Sequence, residues 1–310
     1  MTVADHDIAL DPVERAIRKM QSVYANWNRQ TSVAQMRSDW DAAFSGCTVP
    51  VSCRLVSAGG VDGEWIVPPD APLDKAILYF HGGGFRLGSI ASHRDLIARI
   101  AEASGCRVLA INYRLAPEHR FPAALEDALA AYAWLLAQRL TARDIALVGD
   151  SAGGNLVLAT MLSLRNRGEA LPAAGALMSP WTDLAATGES FQSRAAADPI
   201  HQRSMILALA KGYLAEGGDP LDPMASPLYA DLAGLPPLLI HAGDRETVRD
   251  DATMLAQKAE AAGVNVELKV WDGMIHVFQM FAEIPQAQDA IAEMAAFLRR
   301  HLHLGDERKR

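Results

Sequence analysis

Three stretches of this 310-residue chain carry residue types at the spacing that acyl transfer requires. The first is Gly149-Asp150-Ser151-Ala152-Gly153, which has the form G-x-S-x-G. It follows an apolar run at residues 145–148 and precedes a helical pattern at residues 155–164. Flanking glycines let neighbouring backbone approach, so a sharp strand-to-helix turn can thrust the Ser151 hydroxyl out at the strand's end. The helix start also favours negative charge developing nearby. A glycine-rich phosphate cradle is the competing reading, but neither G-x-G-x-x-G nor a P-loop lysine is present. The second stretch, His81-Gly82-Gly83-Gly84, follows an apolar run at residues 76–80. Consecutive glycines can aim several backbone N–H groups at one oxygen, as an oxyanion hole demands, and Ala152, just after the serine, adds another donor. The third is the loop ending in His276.

A nucleophilic serine needs a base, and the base needs an orienting acid. His276 comes after the serine and close behind the strand predicted at residues 266–271, as the chain order serine, acid, histidine requires. His241 falls inside a strand pattern, which assigns it to the core or a sheet face. His93, His119, His201, His301 and His303 lie in polar or helical stretches and read as solvent-facing. For the acid, the run at residues 237–241 is followed by Asp244 and Glu246, and residue chemistry alone leaves both open. Asp250 and Asp251 read as first-turn residues of the next helix, stabilised by its dipole.

These residues need a frame to bring them together. Apolar residues at spacings of three and four predict helices over residues 12–25 and 33–44. Residues 53–57 and 64–67 flank Gly59, Gly60 and Gly63 and read as an antiparallel pair. Strands at 76–80, 108–112, 145–148, 175–178, 237–241 and 266–271 then alternate with helices at 96–103, 123–137, 155–164, 250–262 and 286–301. Short apolar runs alternating with helices predict a mainly parallel sheet covered on both faces. Between Met178 and Leu238 the rhythm breaks for about sixty residues, too long for an ordinary connection. Helical patterns such as residues 204–214 fill this gap, which reads as an insertion. With the N-terminal helices it would cover the C-terminal edge of the sheet, where open α/β sheets bind ligands. The expected organisation is cap helices over 1–45, a catalytic domain of 46–180 and 226–310, and a cap insertion at 181–225.

Composition removes several function classes. There are 29 basic and 37 acidic residues, a net charge of −8, and no Lys/Arg cluster stands against that balance, so neither nucleic acid nor an anionic membrane is an expected partner. The longest apolar run, residues 128–137, is half the length of about twenty that a membrane-spanning helix needs. Residues 1–7 show no secretory pattern, which points to the cytoplasm. Cys47, Cys53 and Cys106 form no Cys-x-x-Cys pair and read as reduced, packed thiols, and the histidines do not cluster at ligand spacing, so no metal site is expected.

Together these motifs resemble the hormone-sensitive-lipase-like family of α/β-hydrolases, the microbial carboxylesterases of group IV. The likeness runs from about residue 59 to about residue 297. It rests on His81-Gly82-Gly83-Gly84-Phe85, Tyr113-Arg114-Leu115-Ala116-Pro117-Glu118, Gly149-Asp150-Ser151-Ala152-Gly153-Gly154 and Gly273-Met274-Ile275-His276. The resemblance implies an α/β-hydrolase fold with an eight-stranded sheet and a helical cap, no cofactor, and often a homodimer. The family's acid lies in an Asp-x-Leu-x-Asp run, which Glu246-Thr247-Val248-Arg249-Asp250 fits with Glu for Asp and Val for Leu. Counting from Asp244 does not fit, so the resemblance favours Glu246, which stands 30 residues before His276.

The expected function is hydrolysis of short-chain carboxylic esters, with Ser151 as nucleophile, His276 as base and Glu246 as orienting acid. Gly83, Gly84, Ala152 and Gly82 supply the oxyanion hole, and Phe85 and Val277 line the pocket. A lactone hydrolase using the same residues is the alternative. A non-catalytic receptor on the same fold is disfavoured because such receptors lose the base, and His276 is present.

Overall fold

The structure is a computed structural model and describes residues 11–305. The segment at residues 1–7, whose composition lacks a secretory pattern, lies outside the described residues.

Helices α1 (Pro12–Ala25) and α2 (Val33–Phe44) come first. The Asp11 carboxylate caps Val13 N at 2.8 Å, and the Ser32 side chain accepts from Gln35 N at 3.1 Å. These caps satisfy N–H groups that a helix start leaves unpaired. Strands β1 (Ser52–Ala58), β2 (Val61–Val67), β3 (Ala76–Phe80) and β4 (Val108–Ile111) follow, with α3 (Ile90–Ser104) between β3 and β4. Then come α4 (Ala123–Ala137), β5 (Ile145–Asp150), α5 (Ala152–Asn166), β6 (Ala174–Met178), the single turn α6 (Ser190–Ser193) and α7 (Arg203–Tyr213). The chain continues through β7 (Leu238–Gly243), α8 (Arg249–Ala261), β8 (Val266–Trp271) and α9 (Pro285–His301).

The eight strands form one sheet in the order β1-β2-β4-β3-β5-β6-β7-β8. The pairs β1–β2 and β2–β4 are antiparallel, and every pair from β4 to β8 is parallel. Side chains of a strand alternate between faces, and β3 shows the result. Leu78 and Phe80 join the core beneath α4 and α5, while Ile77 and Tyr79 join the core beneath α3 and α9. No helix among the described residues is long and apolar enough to cross a membrane.

Strand β3 lies between β4 and β5, so the chain leaves it toward one edge of the sheet and returns on the other. Such a reversal opens a crevice at the C-terminal strand ends. The three-glycine loop follows β3, and Ser151 follows β5. A third apolar cluster seals this end of the molecule. In it Val13, Ile17, Met20, Trp40 and Phe44 of the N-terminal helices pack on Trp271, Met274, Ile275, Phe278 and Phe281. Arg37 on α2 fixes the same helices to the glycine-rich loop, donating to Arg86 O at 2.8 Å and Ala116 O at 2.9 Å.

Two helices begin three or more residues earlier than their apolar periodicity predicts. α3 starts at Ile90 rather than residue 96, because Ser89 and Ser92 form a reciprocal capping box there. α5 starts at Ala152 rather than residue 155, running through Gly153 and Gly154, which carry no apolar signal.

Candidate active site

Ser151 is the single residue between β5 and α5 and has φ 51° and ψ −116°. That backbone is unfavourable for any side chain larger than glycine. It is braced on both sides, by Ser151 N donating to Met178 O at 2.8 Å and Trp181 N donating to Ser151 O at 3.1 Å. Gly153 lets the turn close, since a Cβ there would lie 1.9 Å from Phe80 O.

His276 sits in the loop after β8, where its Nε2 is 2.9 Å from Ser151 Oγ. Its Nδ1 is 2.7 Å from Glu246 Oε2. Ser179, just beyond β6, donates from Oγ to Glu246 Oε1 at 2.7 Å, and Gly243 N donates to the same oxygen. Ser179 Oγ in turn accepts Val277 N at 3.0 Å. Glu246 is fully buried, whereas Asp244 is partly exposed and pairs with Arg194 at 2.9 Å and Arg249 at 3.5 Å. Of the two carboxylates that the sequence offered, the structure brings Glu246 to the imidazole. Burial pushes the His276 pKa down, but the charge and hydrogen bond of Glu246, with Asp198 and Asp150 beyond, hold it above the ordinary histidine value.

The glycine loop turns sharply at Gly83, which has φ 114° and where a Cβ would lie 2.2 Å from Leu87 O. The N–H groups of Gly83 and Gly84 donate to no other described residue, and Ala152 as first residue of α5 has no intrahelical acceptor. Gly82 departs from expectation: its N–H donates to Asp150 Oδ1 at 3.0 Å and is not free for an oxyanion. Asp150 also accepts from Tyr79 Oη at 2.6 Å and stands 3.4 Å from His93 Nε2. Burial works to raise the Asp150 pKa, yet His93 and the Tyr79 hydrogen bond keep it below the usual carboxylate value.

A cavity of about 70 Å³ opens over Ser151. Trp181, Met205, Ile206 and Leu209 line it from the segment between β6 and β7, and Met20, Tyr24 and Trp40 line it from α1 and α2. Val277 lines it as expected. Phe85 does not. Its ring is wholly buried and stacks on Tyr213 at 3.7 Å with the planes 6° apart, so it belongs to the core.

Further expectations need correction. His93 and His201 are buried rather than solvent-facing, His93 against Asp150 and His201 edge-on to His276 with ring centroids 4.5 Å apart. Helix periodicity identifies an apolar face but does not reveal a buried charge that keeps an imidazole inside. Cys47 and Cys53 are exposed, and only Cys106 is packed. Asp251 stands in the first turn of α8, but it is buried and accepts Thr182 N at 2.7 Å and Asp183 N at 2.8 Å. Its main partners are therefore backbone groups after β6. Sequence reasoning passed over Ser179, Asp198 and Trp181. For Ser179 a signal existed, since it is the first residue after a parallel strand, at the sheet edge where ligands bind.

The family described as the alpha/beta hydrolase fold matches residues 77–280. An acetyl-hydrolase of Streptomyces hygroscopicus is 42% identical over 279 residues, covering 88% of this chain and 92% of that protein. An esterase of Acinetobacter venetianus is 40% identical over 248 residues, covering 80% of this chain and 82% of its own. The crystal structure of an esterase from the bacterial hormone-sensitive lipase family superposes with a TM-score of 0.90 at 45% identity, covering 94% of this chain and 98% of that one.

Proposed function

Since this chain belongs to the hormone-sensitive-lipase-like family of α/β-hydrolases and is a serine carboxylesterase, we propose that it hydrolyses short-chain acyl esters through a Ser151–His276–Glu246 triad and an acyl-enzyme. The observation that carries this reading is the continuous relay from Ser151 Oγ through the His276 ring to Glu246, with contacts of 2.9 and 2.7 Å, at the floor of the cavity.

His276 Nε2 takes the Ser151 hydroxyl proton as Oγ attacks the ester carbonyl carbon. The carbonyl oxygen becomes an oxyanion facing the N–H groups of Gly83, Gly84 and Ala152. As the intermediate collapses, the proton passes from His276 to the leaving alcohol and the acyl group stays on Ser151. Water then gives a proton to His276 and attacks the acyl carbon. Collapse of the second intermediate releases the acid and returns the proton to Ser151 Oγ. Glu246 holds the imidazole with Nδ1 protonated and Nε2 free to accept, and it stabilises the imidazolium.

The size of the cavity supports the short-chain reading. The cavity is small, about 70 Å³, and is walled by Trp181, Met205, Ile206 and Leu209, which favours a short acyl group over a long one. We read residues 11–45 and 181–225 as the cap, because their side chains form one wall of that cavity.

A phosphonate probe followed by peptide mass spectrometry tests the nucleophile, and a series of p-nitrophenyl esters from acetate to octanoate tests the acyl limit. An adduct on Ser151 with kcat/KM falling beyond butyrate is the expected result. Adduct formation elsewhere, or a preference for octanoate, contradicts the reading. Faster turnover of a γ-lactone than of the acetate would move the reaction to cyclic esters.

A further inference from the structure

On the segment between β6 and β7, Asp198 is buried and Thr247, the residue after Glu246, lies against it. Asp198 Oδ2 accepts Thr247 N at 2.8 Å and Thr247 Oγ1 at 3.1 Å. Its Oδ1 accepts Ile200 N at 3.0 Å and His201 N at 2.8 Å. One carboxylate therefore ties the acid loop to the turn that presents His201. The His201 ring lines the cavity and meets the His276 ring edge-on, with centroids 4.5 Å apart and planes at 66°. Its Nδ1 is buried, makes no hydrogen bond among the described residues, and stands 3.8 Å from Asp198 Oδ1.

We propose that Asp198 and His201 are positioning residues for His276, the His201 ring buttressing the imidazole and the Asp198 charge stabilising its protonated form during turnover. The inference rests on the triad reading above. It gives the covering segment a part in the chemistry as well as in shaping the pocket.

The charges around His276 define what each partner does. Glu246 bonds Nδ1 directly, the His201 ring meets the imidazole from the cavity wall, Asp198 Oδ1 stands 3.8 Å from His201 Nδ1, and the charges of Asp198 and Asp150 both favour the protonated imidazole. Burial, then the neighbouring His276, lower the His201 pKa to about 4, with Asp198 opposing them. Burial beside His276 thus favours the neutral His201 ring, which adds bulk against the imidazole. Asp198 stays anionic: burial acts to raise its pKa, but His201 and the backbone donors outweigh that and hold it below the ordinary value. Burial, then the charge of Asp198, push the pKa of the Tyr24 hydroxyl on α1 up. An anion near an imidazole favours the charged ring even without contact, and the effect survives where water is excluded.

The test is the pH profile of kcat/KM for p-nitrophenyl acetate, with phosphonate labelling of Ser151 in every variant. Asp198→Asn is expected to move the acidic limb down by roughly 0.3 to 1 pH unit and to lower kcat more than it raises KM. Asp198→Glu should restore part of the shift. His201→Ala should lower kcat about tenfold, and His201→Phe, which keeps a ring against His276, should recover a substantial part of that loss. A folded Asp198→Asn enzyme with an unmoved acidic limb overturns the charge role. If that variant does not fold, the His201 pair decides: equal kcat for His201→Ala and the parent overturns the proposal. Labelling of the parent at a residue other than Ser151 removes the triad reading itself, whereas labelling at Ser151 with unmoved profiles removes this inference alone.

Discussion

The Ser179 hydroxyl donates to Glu246 Oε1 at 2.7 Å while accepting Val277 N at 3.0 Å, so one side chain holds both the orienting acid and the backbone just after the base. Ser179 is itself in a positive-φ conformation, at 46°, and its N–H donates to His241 O at 2.6 Å.

Replacing Ser179 by alanine leaves Gly243 N as the remaining donor to Glu246 Oε1 and strips Val277 N of its acceptor. Unfolding stability should fall by about 1–3 kcal/mol, the range for orphaning a buried polar group. Turnover should fall by roughly tenfold as the imidazole loses its fixed orientation. Urea titration and steady-state kinetics on the same preparation measure both, and unchanged values for each would deny Ser179 the bridging role.

Glu246→Gln should cost up to about ten-thousand-fold in kcat, because the amide supports the wrong imidazole tautomer. Asp244→Asn, whose carboxylate faces Arg194 and Arg249, should cost at most about tenfold. Kinetics of the two purified variants, each checked by circular dichroism, decide between the carboxylates.

The pH dependence has a definite sign. His276 must be neutral to accept the serine proton, and Glu246 helps hold its pKa above the ordinary value despite burial. The acidic limb of kcat/KM should therefore lie above pH 6.5 or so. In the residual activity of Glu246→Gln it should move to lower pH. For stability the sense is opposite: a raised folded-state pKa stabilises the fold below about pH 6.5, and this contribution is lost as pH rises through the folded value. An acidic limb that stays in place in Glu246→Gln contradicts the electrostatic account.

Gly153→Ala places a methyl 1.9 Å from Phe80 O, a backbone atom with no room to retreat. The loss should reach at least about 3 kcal/mol, the upper end for overpacking. Inactive, aggregated or cold-sensitive protein is the expected outcome, and a parent-like urea midpoint would show that the turn can relax.

Leu209 lines the cavity, and its Cδ1 lies 2.9 Å from where a Cβ on Gly84 would be. Leu209→Ala should raise kcat/KM for hexanoate over acetate by tenfold or more, as each accommodated methylene is worth about 1–3 kcal/mol. An unchanged acyl profile would separate this wall from the acyl group.

Motif and periodicity carried much of this architecture. The helix over residues 123–137 and the strand over residues 266–271 have the predicted bounds, because Pro122 and Gln138 flank the helical stretch and Asn265 and Asp272 flank the alternating Val266 to Trp271. Ser151 and His276 were legible from the turn chemistry and from the order of the chain. Strand order was not, since pairing β3 with both β4 and β5 depends on crossovers that leave no local mark. The polar interior was equally hidden. His93, His201 and Asp198 stand in segments that look solvated, and each is buried by a partner at least 49 residues away: Asp150, His276 and Thr247. Gly82 and Phe85 were misread for the opposite reason. Adjacency to the oxyanion loop suggested a role, but one N–H was taken by Asp150 and one ring by Tyr213.

Ser151 and His276 are 125 residues apart in the chain yet 2.9 Å apart in space. The parts that meet there come from the ends of β5, β7 and β8, which are neighbours in an unbroken parallel run β5-β6-β7-β8. Parallel pairing closes long loops before any contact rewards it, which makes such pairing intrinsically slow. During synthesis at about 5–20 residues per second, the strand carrying Ser151 leaves the ribosome well before the loop carrying His276. The nascent chain therefore holds its serine without a base for several seconds, and reactivity is acquired only when the last strand docks.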